Sequence, residues 1–313
     1  MFDIRSFYEA ASVEDAVEAL VRDENAEIIS GGTDVLIRVR EGRDAGKSLV
    51  SIHNLKELKG VHRKEDGTIV IGAATSFAQI TNHEIIKKHL DMLGKAVDQV
   101  GGPQIRNVAT LGGNICNGAT SADSASTMCT LNADVVLQGP DGIRRVPVAE
   151  FYTGPGRTVR RREEVCTCFE IRREDYEGWE GAYYKYGKRK AMEIATLGCA
   201  VRVKLSADRT RIEDARLAYG VAAPTPIRCG EAEAVLRGRA VSDRMIYAEA
   251  AEMALTEVRP RSSWRASKEF RLQLICELTK RALRDAILLS GGQPAEIPFE
   301  TESGVEREEG ALC

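Results

Sequence analysis

Residues 100–125 read VGGPQIRNVATLGGNICNGATSADSA, and five glycines fall between positions 101 and 118. Few features constrain the fold of a chain more, because a glycine inside a helix or strand costs about 0.5–1 kcal/mol relative to alanine. The flanks are patterned normally. Upstream, SFAQITNHEIIKKHLDMLGKAVDQVG reads as two or three helical pieces stopped at Gly101-Gly102-Pro103. Downstream, DSASTMCTL reads as a helix with Asp123 in its first turn. A loop of this length without structure of its own is uncommon in a compact domain unless it binds something. Gly112-Gly113-Asn114 offers backbone N–H groups free of side chains, plus an amide side chain, which is what an anion needs.

A second segment repeats the theme. The predicted strand AEIIS runs into GGTDVL, placing Gly31 and Gly32 at a strand end before Thr33 and Asp34. Two Gly-Gly segments in one domain suit a diphosphate held between two loops. Two other glycine motifs do not qualify. EGRDAGKS (41–48) has three residues between its glycines where a phosphate-binding loop needs four, and a strand follows it. GPGRTV (154–159) lacks the last glycine of a dinucleotide fingerprint and opens no helix, so it reads as a turn.

The rest of the chain is strands and helices in mixed order. SVEDAVEALVR starts at Ser12 with Asp15 three residues on, and sets Val13, Ala16, Val17 and Leu20 on one helical stripe. SLVSIHNL reads as a strand, LKGVHRKEDGTIVIGA as two strands turning at Asp66-Gly67, and ADVVLQGPDGIRRVPV as a hairpin. Strands continue through EEVCTCFEI, GAYYKYGKRK, LGCAVRVKL and ARLAYGVAAPTPI. From about residue 231 the pattern is helical, ending in SKEFRLQLICELTKRALRDAILLS with Phe270, Leu274, Leu278 and Ala282 on one stripe. This order predicts an α+β protein. A polar connector, RREDYEGWEG, divides residues 1–175 from a smaller α+β unit at 176–291. Residues 292–313 are acidic and irregular and are expected to be a flexible tail.

Composition excludes several classes of function. A net charge of −3 gives no basic field for nucleic acid, and no run of 18 apolar residues spans a membrane. The N-terminus has no apolar block of the secretory kind, so a cytoplasmic location and reduced thiols are expected for the eight cysteines. None forms a C-x-x-C pair. Cys166 and Cys168 alternate with Val165, Thr167 and Phe169 as residues on one face of a strand do, and read as core rather than metal ligands. No metal site is expected in this chain.

ISGGTDVL, GPQIRNVATLGGNI and TSADSA together resemble the flavin-binding subunits of the molybdenum hydroxylases, while APTPIRC and RSSWRASKEFR are most similar to the bacterial xanthine dehydrogenase type. The likeness runs from residue 1 to about 292. It implies an FAD-binding domain of the vanillyl-alcohol-oxidase (PCMH) type in two subdomains, about 1–57 and 58–175, followed by a smaller C-terminal domain of the CO dehydrogenase flavoprotein type at 176–291. It also implies cofactor contacts. Glu27, Ile28, Ile29, Ser30, Gly31, Gly32, Thr33 and Asp34 correspond to the first pyrophosphate loop. Ala109, Thr110, Leu111, Gly112, Gly113 and Asn114 correspond to the second, and Asp123 is a further contact. Val100 and Val165 fall where relatives flank the adenine, with an aromatic in some of them at the position of Val100. Tyr184 and Lys185 fall on a flavin-side segment.

The resemblance further implies an electron relay. Hydroxylation would occur at a molybdenum cofactor on one partner subunit, electrons would pass through [2Fe-2S] clusters on another, and FAD would hand a hydride to NAD. The expected assembly is a hetero-oligomer, with no catalytic residue assigned in this chain. The alternative is a free-standing flavin oxidoreductase with its own substrate, for which Tyr184, Lys185 and Lys188 are candidate acid or base groups. The chain's four histidines, His53, His62, His83 and His89, all lie outside both Gly-Gly segments, so the FAD is expected to be non-covalent.

Overall fold

The first strand, β1 (Ile4–Glu9), leads to a serine that starts a helix: Ser12 Oγ accepts the Asp15 N–H at 3.1 Å. The helix, α1 (Val13–Arg22), buries the expected Val13, Ala16, Val17 and Leu20. It is followed by β2 (Ala26–Ile29), α2 (Val35–Arg40) and β3 (Lys47–Ser51). The three strands pair in parallel in the order β1-β3-β2. A computed structural model describes residues 2–296, so residues 297–313 of the expected tail lie outside the described residues.

The second unit begins with β4 (Val61–Arg63), β5 (Ile69–Gly72) and three short helices, α3 (Phe77–Asn82), α4 (Glu84–His89) and α5 (Asp91–Val97). Then come α6 (Pro103–Val108), α7 (Leu111–Cys116) and α8 (Asp123–Thr130). The glycine-rich stretch is therefore mostly short helix, not the open loop its composition suggests. Pro103 occupies the first turn of α6, where its missing N–H costs nothing, and Thr110 Oγ1 caps α7 by accepting the Gly113 N–H at 3.1 Å.

The unit is completed by β6 (Asp134–Gly139), β7 (Gly142–Pro147), α9 (Val148–Phe151), a ribbon of β8 (Tyr152–Gly154) and β9 (Arg157–Thr158), and β10 (Val165–Ile171). Its five-stranded sheet has the order β4-β5-β10-β6-β7. Between that sheet and the helices lies a core including Ile69, Ile71, Phe77, Leu93, Leu111 and Phe169. Burying each such side chain stabilises the fold by about 1.5–3 kcal/mol.

One irregularity in β10 changes the expected facing. Cys166 pairs with Leu137 and Cys168 with the next residue back, Val136, so Thr167 is an extra residue in the ladder. The bulge reverses the alternation. Cys166, Phe169 and Ile171 join one core, Val165 packs with α1, and Cys168 is only half-buried. The expectation that Cys166 and Cys168 share a face is corrected by that single inserted residue.

The third unit is an antiparallel sheet of β11 (Trp179–Tyr186), β12 (Leu197–Leu205), β13 (Ile212–Gly220) and β14 (Ile227–Arg228). It is backed by α10 (Gly230–Ala234), α11 (Met245–Glu257) and α12 (Lys268–Leu289). Helix α12 buries Leu274, Leu278 and Ala282 as expected, but Phe270 stays partly exposed and stacks edge-on against Tyr186 at 5.5 Å. Arg216 ties this unit to the second: it donates to Thr130 O at 3.2 Å and to Asp175 Oδ1 at 2.8 Å, beneath the ring of Trp179.

Candidate functional site

A cavity of about 1110 Å³ opens where the three units meet. That lies slightly above the ~300–1,000 Å³ usual for small-molecule sites. Its walls come from the turn after β2, from α2 and α7, from residues 119–123, from the β8–β9 turn, and from Lys185 on β11.

The turn after β2 is held by close backbone packing. A Cβ on Gly31 would sit 1.9 Å from the carbonyl oxygen of Val108, so only glycine lets the two segments meet, and Gly32 adopts a φ of +72°. Gly31, Gly32, Thr33 and Asp34 all line the cavity, and their backbone N–H groups have no acceptor among the described residues. Ser30, beside them, has a buried hydroxyl that likewise lacks a partner. Gly31, Gly32 and Thr33 are only partly buried and Asp34 is exposed, so their N–H groups are open to whatever fills the cavity, and a row of such donors along one wall is a binding surface for an anion.

The second Gly-Gly pair works differently from its reading as bare donors. The Gly112 N–H already donates to Ala73 O at 2.8 Å, and a Cβ there would lie 2.7 Å from that same oxygen. The Gly113 N–H is taken by Thr110. What these glycines provide is close approach of α7 to the β5 end, with Gly113 itself left exposed on the cavity side. The free donors here belong to Asn114, whose Oδ1 accepts the Ser124 hydroxyl at 2.6 Å and whose Nδ2 has no hydrogen-bond partner among the described residues.

Asp123 forms a buried cluster at the start of α8. Lys185 Nζ and the Tyr183 hydroxyl each donate to it at 2.7 Å, and Lys185 also donates to Gln99 O at 2.9 Å. Burial raises the Asp123 carboxyl above its ordinary value, with the Lys185 ammonium and the Tyr183 hydroxyl pulling the other way. Burial also pushes the Tyr183 hydroxyl well up, so it is a neutral donor to the carboxyl.

Of the residues singled out from the sequence, Glu27, Ile28, Ser30, Gly31, Gly32, Thr33, Asp34, Val100, Ala109, Thr110, Gly112, Gly113, Asn114, Asp123 and Lys185 line this cavity. Ile29, Leu111, Val165 and Tyr184 do not. Leu111 and Val165 are fully buried in apolar cores. Tyr184 points to the opposite face of β11 and donates to Asp285 Oδ2 on α12 at 2.5 Å. Tyr183 and Lys185, two apart, share the cavity side, which is the parity of a strand.

Sequence reading missed the cationic wall. Arg38 on α2 bonds Asp44 Oδ2 at 2.6 Å and Asn117 Oδ1 at 2.9 Å, joining the first unit to α7. Arg157 has no carboxylate partner among the described residues. It lies in GPGRTV, which is indeed a turn yet lines the cavity. Arg43 and Asp44 likewise come from EGRDAGKS, which leads into strand β3 and not a helix. A signal existed in these basic positions, but nothing in their spacing says that they converge.

Comparison with known proteins agrees with this architecture. The family described as FAD binding domain in molybdopterin dehydrogenase matches residues 2–171, and CO dehydrogenase flavoprotein C-terminal domain matches residues 182–286. The chain is 44% identical over 293 residues to a xanthine dehydrogenase FAD-binding subunit of Escherichia coli O157:H7, covering 94% of this chain and 99% of that one. It is 30% identical over 281 residues to a carbon monoxide dehydrogenase medium chain of Hydrogenophaga pseudoflava, covering 90% and 96%. In three dimensions it resembles a chain of carbon monoxide dehydrogenase from Hydrogenophaga pseudoflava, with a TM-score of 0.86, 28% identity and coverage of 93% and 99%. A chain of quinoline 2-oxidoreductase from Pseudomonas putida 86 gives 0.85, 26% identity, and 93% and 99%. The protein therefore belongs to the FAD-binding subunits of the molybdenum hydroxylase family, and is xanthine dehydrogenase-like among them.

Proposed function

We propose that this chain carries non-covalent FAD in the central cavity and relays electrons within a xanthine dehydrogenase-type assembly in the cytoplasm. The observation that carries the reading is the run of unpaired N–H groups from Gly31 to Asp34, which fits a diphosphate. The orphaned Ser30 hydroxyl and the unpaired Asn114 Nδ2 fit the rest of the same ligand. Bound flavin supplies the ability to take electrons singly and release them as a hydride. The chain's own residues bind and orient. Arg38 and Arg157 offset the phosphate charge, while Asp123 and Lys185 hold a neutralised polar pair against the ligand.

The partners proposed are a [2Fe-2S] subunit as electron donor, a molybdenum cofactor subunit as the site of hydroxylation, and NAD as acceptor. A relative named as a carbon monoxide dehydrogenase medium chain supports a division of labour among subunits. No helix among the described residues is long and apolar enough to cross a membrane. We further propose that the cofactor domain ends near residue 175 and that residues 176–291 form a separate domain whose β11 closes the site.

The test uses the purified chain loaded with FAD. NADH bleaches the flavin band of the chain alone, whereas a purine does so only after the two partner subunits are added. Purine-driven bleaching by the isolated chain overturns the relay and supports a free-standing oxidoreductase.

A further inference from the structure

Nine charged residues fall in the loop between β11 and β12 (187–196) and in the segment that enters α12 (261–271), and seven of them are basic. The chain as a whole carries a net charge of −3, so this is a local excess of cations. Among the described residues, the one carboxylate ion-paired with any of them is Glu193, on Arg189 at 2.8 Å. Lys188, Lys190, Arg261, Arg265 and Lys268 have no such partner there. Arg271 is 2% exposed, yet it donates only to neutral oxygens: Thr196 O at 3.2 Å, Ser263 Oγ at 2.9 Å and Arg261 O. Burial lowers its guanidinium from the ordinary value, and the charges of Arg261 and Arg265 lower it further. The Arg265 Nε is itself buried without an acceptor. Crowded cations without a counterion are costly, and an anionic neighbour relieves that cost.

The same two segments expose apolar side chains. Trp264 is 77% exposed, more than any other large apolar residue among those described, and Met192 and Ile194 are more than half exposed. Two cations lie over the Trp264 ring, Arg265 Cζ at 4.3 Å from its centroid and Lys188 Nζ at 5.8 Å. Tyr186 and Phe270 join the segments by their edge-on stack. The backbone beneath is fixed. The Thr196 N–H donates to Tyr186 O at 2.8 Å, closing the base of the loop, and the Arg271 bonds tie that base to residues 261–263. A surface held this way loses little freedom when something docks on it. Met192, Glu193 and Ile194 also line the cavity, so the patch runs up to the cavity rim.

We propose that this patch docks an acidic surface of another polypeptide in the assembly, with Trp264 seated in an apolar recess and partner carboxylates meeting Lys188, Lys190, Arg261 and Arg265. Trp, Tyr, Met and Arg side chains are what the centres of protein interfaces concentrate, and all four are present here. Charge selects the partner: seven basic residues that the chain itself leaves almost without carboxylates call for an acidic face. A lipid surface fits less well. The patch is a loop and a helix entry, not an amphipathic helix that lays one apolar face in a bilayer, and the acidic remainder of the chain is repelled by anionic headgroups. The existence of the partner rests on the proposed multi-subunit assembly.

The experiment mixes the FAD-loaded full chain with the two partner subunits and follows association by analytical ultracentrifugation and by binding kinetics over a salt series. Trp264→Ala is expected to weaken association by about 30-fold, as removal of an interface anchor does. Lys190→Glu is expected to slow association and flatten its dependence on salt. Ile143→Ser, which removes an exposed apolar side chain on β7, is the control and is expected to change neither. Flavin fluorescence and the urea midpoint of each variant alone show that the fold and the cofactor are kept. If Trp264→Ala assembles as tightly as the parent, or if Ile143→Ser weakens assembly equally, the proposal falls and the assembly stands. A parent chain that joins neither subunit refutes the assembly and removes this occupant with it. Trp264-dependent self-association of the chain alone, or Trp264-dependent binding to phosphatidylglycerol vesicles, gives the patch to a second copy or to lipid and likewise overturns the proposal.

Discussion

Replacing Gly31 by alanine tests the turn that carries the functional reading. The new Cβ would lie 1.9 Å from Val108 O, 2.6 Å from Val108 C and 3.1 Å from the Ala109 Cα, where ordinary contact begins at 3.4 Å. All three obstacles are backbone, so no rotamer relieves them. Either the 30–34 turn or the end of α6 must move, at the ~1–3 kcal/mol typical of overpacking. The movement misaims N–H groups that meet an anion, and a hydrogen bond to a charged group is worth about 1.5–3 kcal/mol. Losing one such bond predicts FAD binding weaker by about 10- to 100-fold. Flavin-fluorescence titration measures the affinity and urea denaturation of the stripped chain measures the stability. Gly230→Ala serves as control, since a Cβ there meets nothing within 4 Å. If Gly31→Ala binds FAD as tightly as the parent while its denaturation midpoint falls, the close approach is structural only and the turn is not the diphosphate site.

Two further perturbations use the charges. Lys185→Met leaves Asp123 buried without its cation, and breaking such a pair costs about 3–5 kcal/mol. A carboxyl raised in the folded state contributes stability at acid pH that is lost as pH rises through the folded value, so the deficit of Lys185→Met grows as pH rises above the ordinary carboxylate range. Adding Asp123→Asn should remove that growth in urea denaturation, and a pH-independent deficit would refute the pairing. On the second sheet, hydrogen bonding from Arg145, together with Lys64, lowers the Glu170 carboxyl to about 2. A depressed carboxyl contributes stability above its ordinary 4.5 that is lost as pH falls toward 2, so Glu170→Gln flattens the acid limb of the stability profile. An unchanged limb would mean that the Arg145 and Lys64 contacts carry no net energy.

Local grammar made most elements legible. The cap at Ser12, the acidic first turn of α8 at Asp123, the Asp66-Gly67 turn and the apolar stripes of α1 and α12 are all set within a few residues of sequence. The failures share a cause, which is that they depend on partners distant along the chain. Thr167 is an ordinary strand residue whose bulge arises only from its register with β6, and that one residue reverses the facing of Cys166. Gly112 looks like a bare donor until Ala73, far upstream, takes its N–H. Tyr184 and Tyr183 cannot be ranked by composition, because which one meets Asp123 depends on which face of β11 meets α12.

The same distance dependence explains why the cavity sits where it does. No single unit could close it. The first unit supplies unpaired donors but leaves them at a sheet end, and the second supplies α7 and the carboxyl of Asp123. Left alone, that carboxyl would be a buried charge without a counterion, and the third unit provides the cation on β11. Arg38 and Lys185 therefore act as two staples in the wall of one space, each bridging units through groups that also line the cavity. An anionic ligand in that space draws on the same cations that hold the units together. Its binding and the docking of the units are thus linked thermodynamically, so occupancy stabilises the assembled cavity over any state in which β11 has swung away.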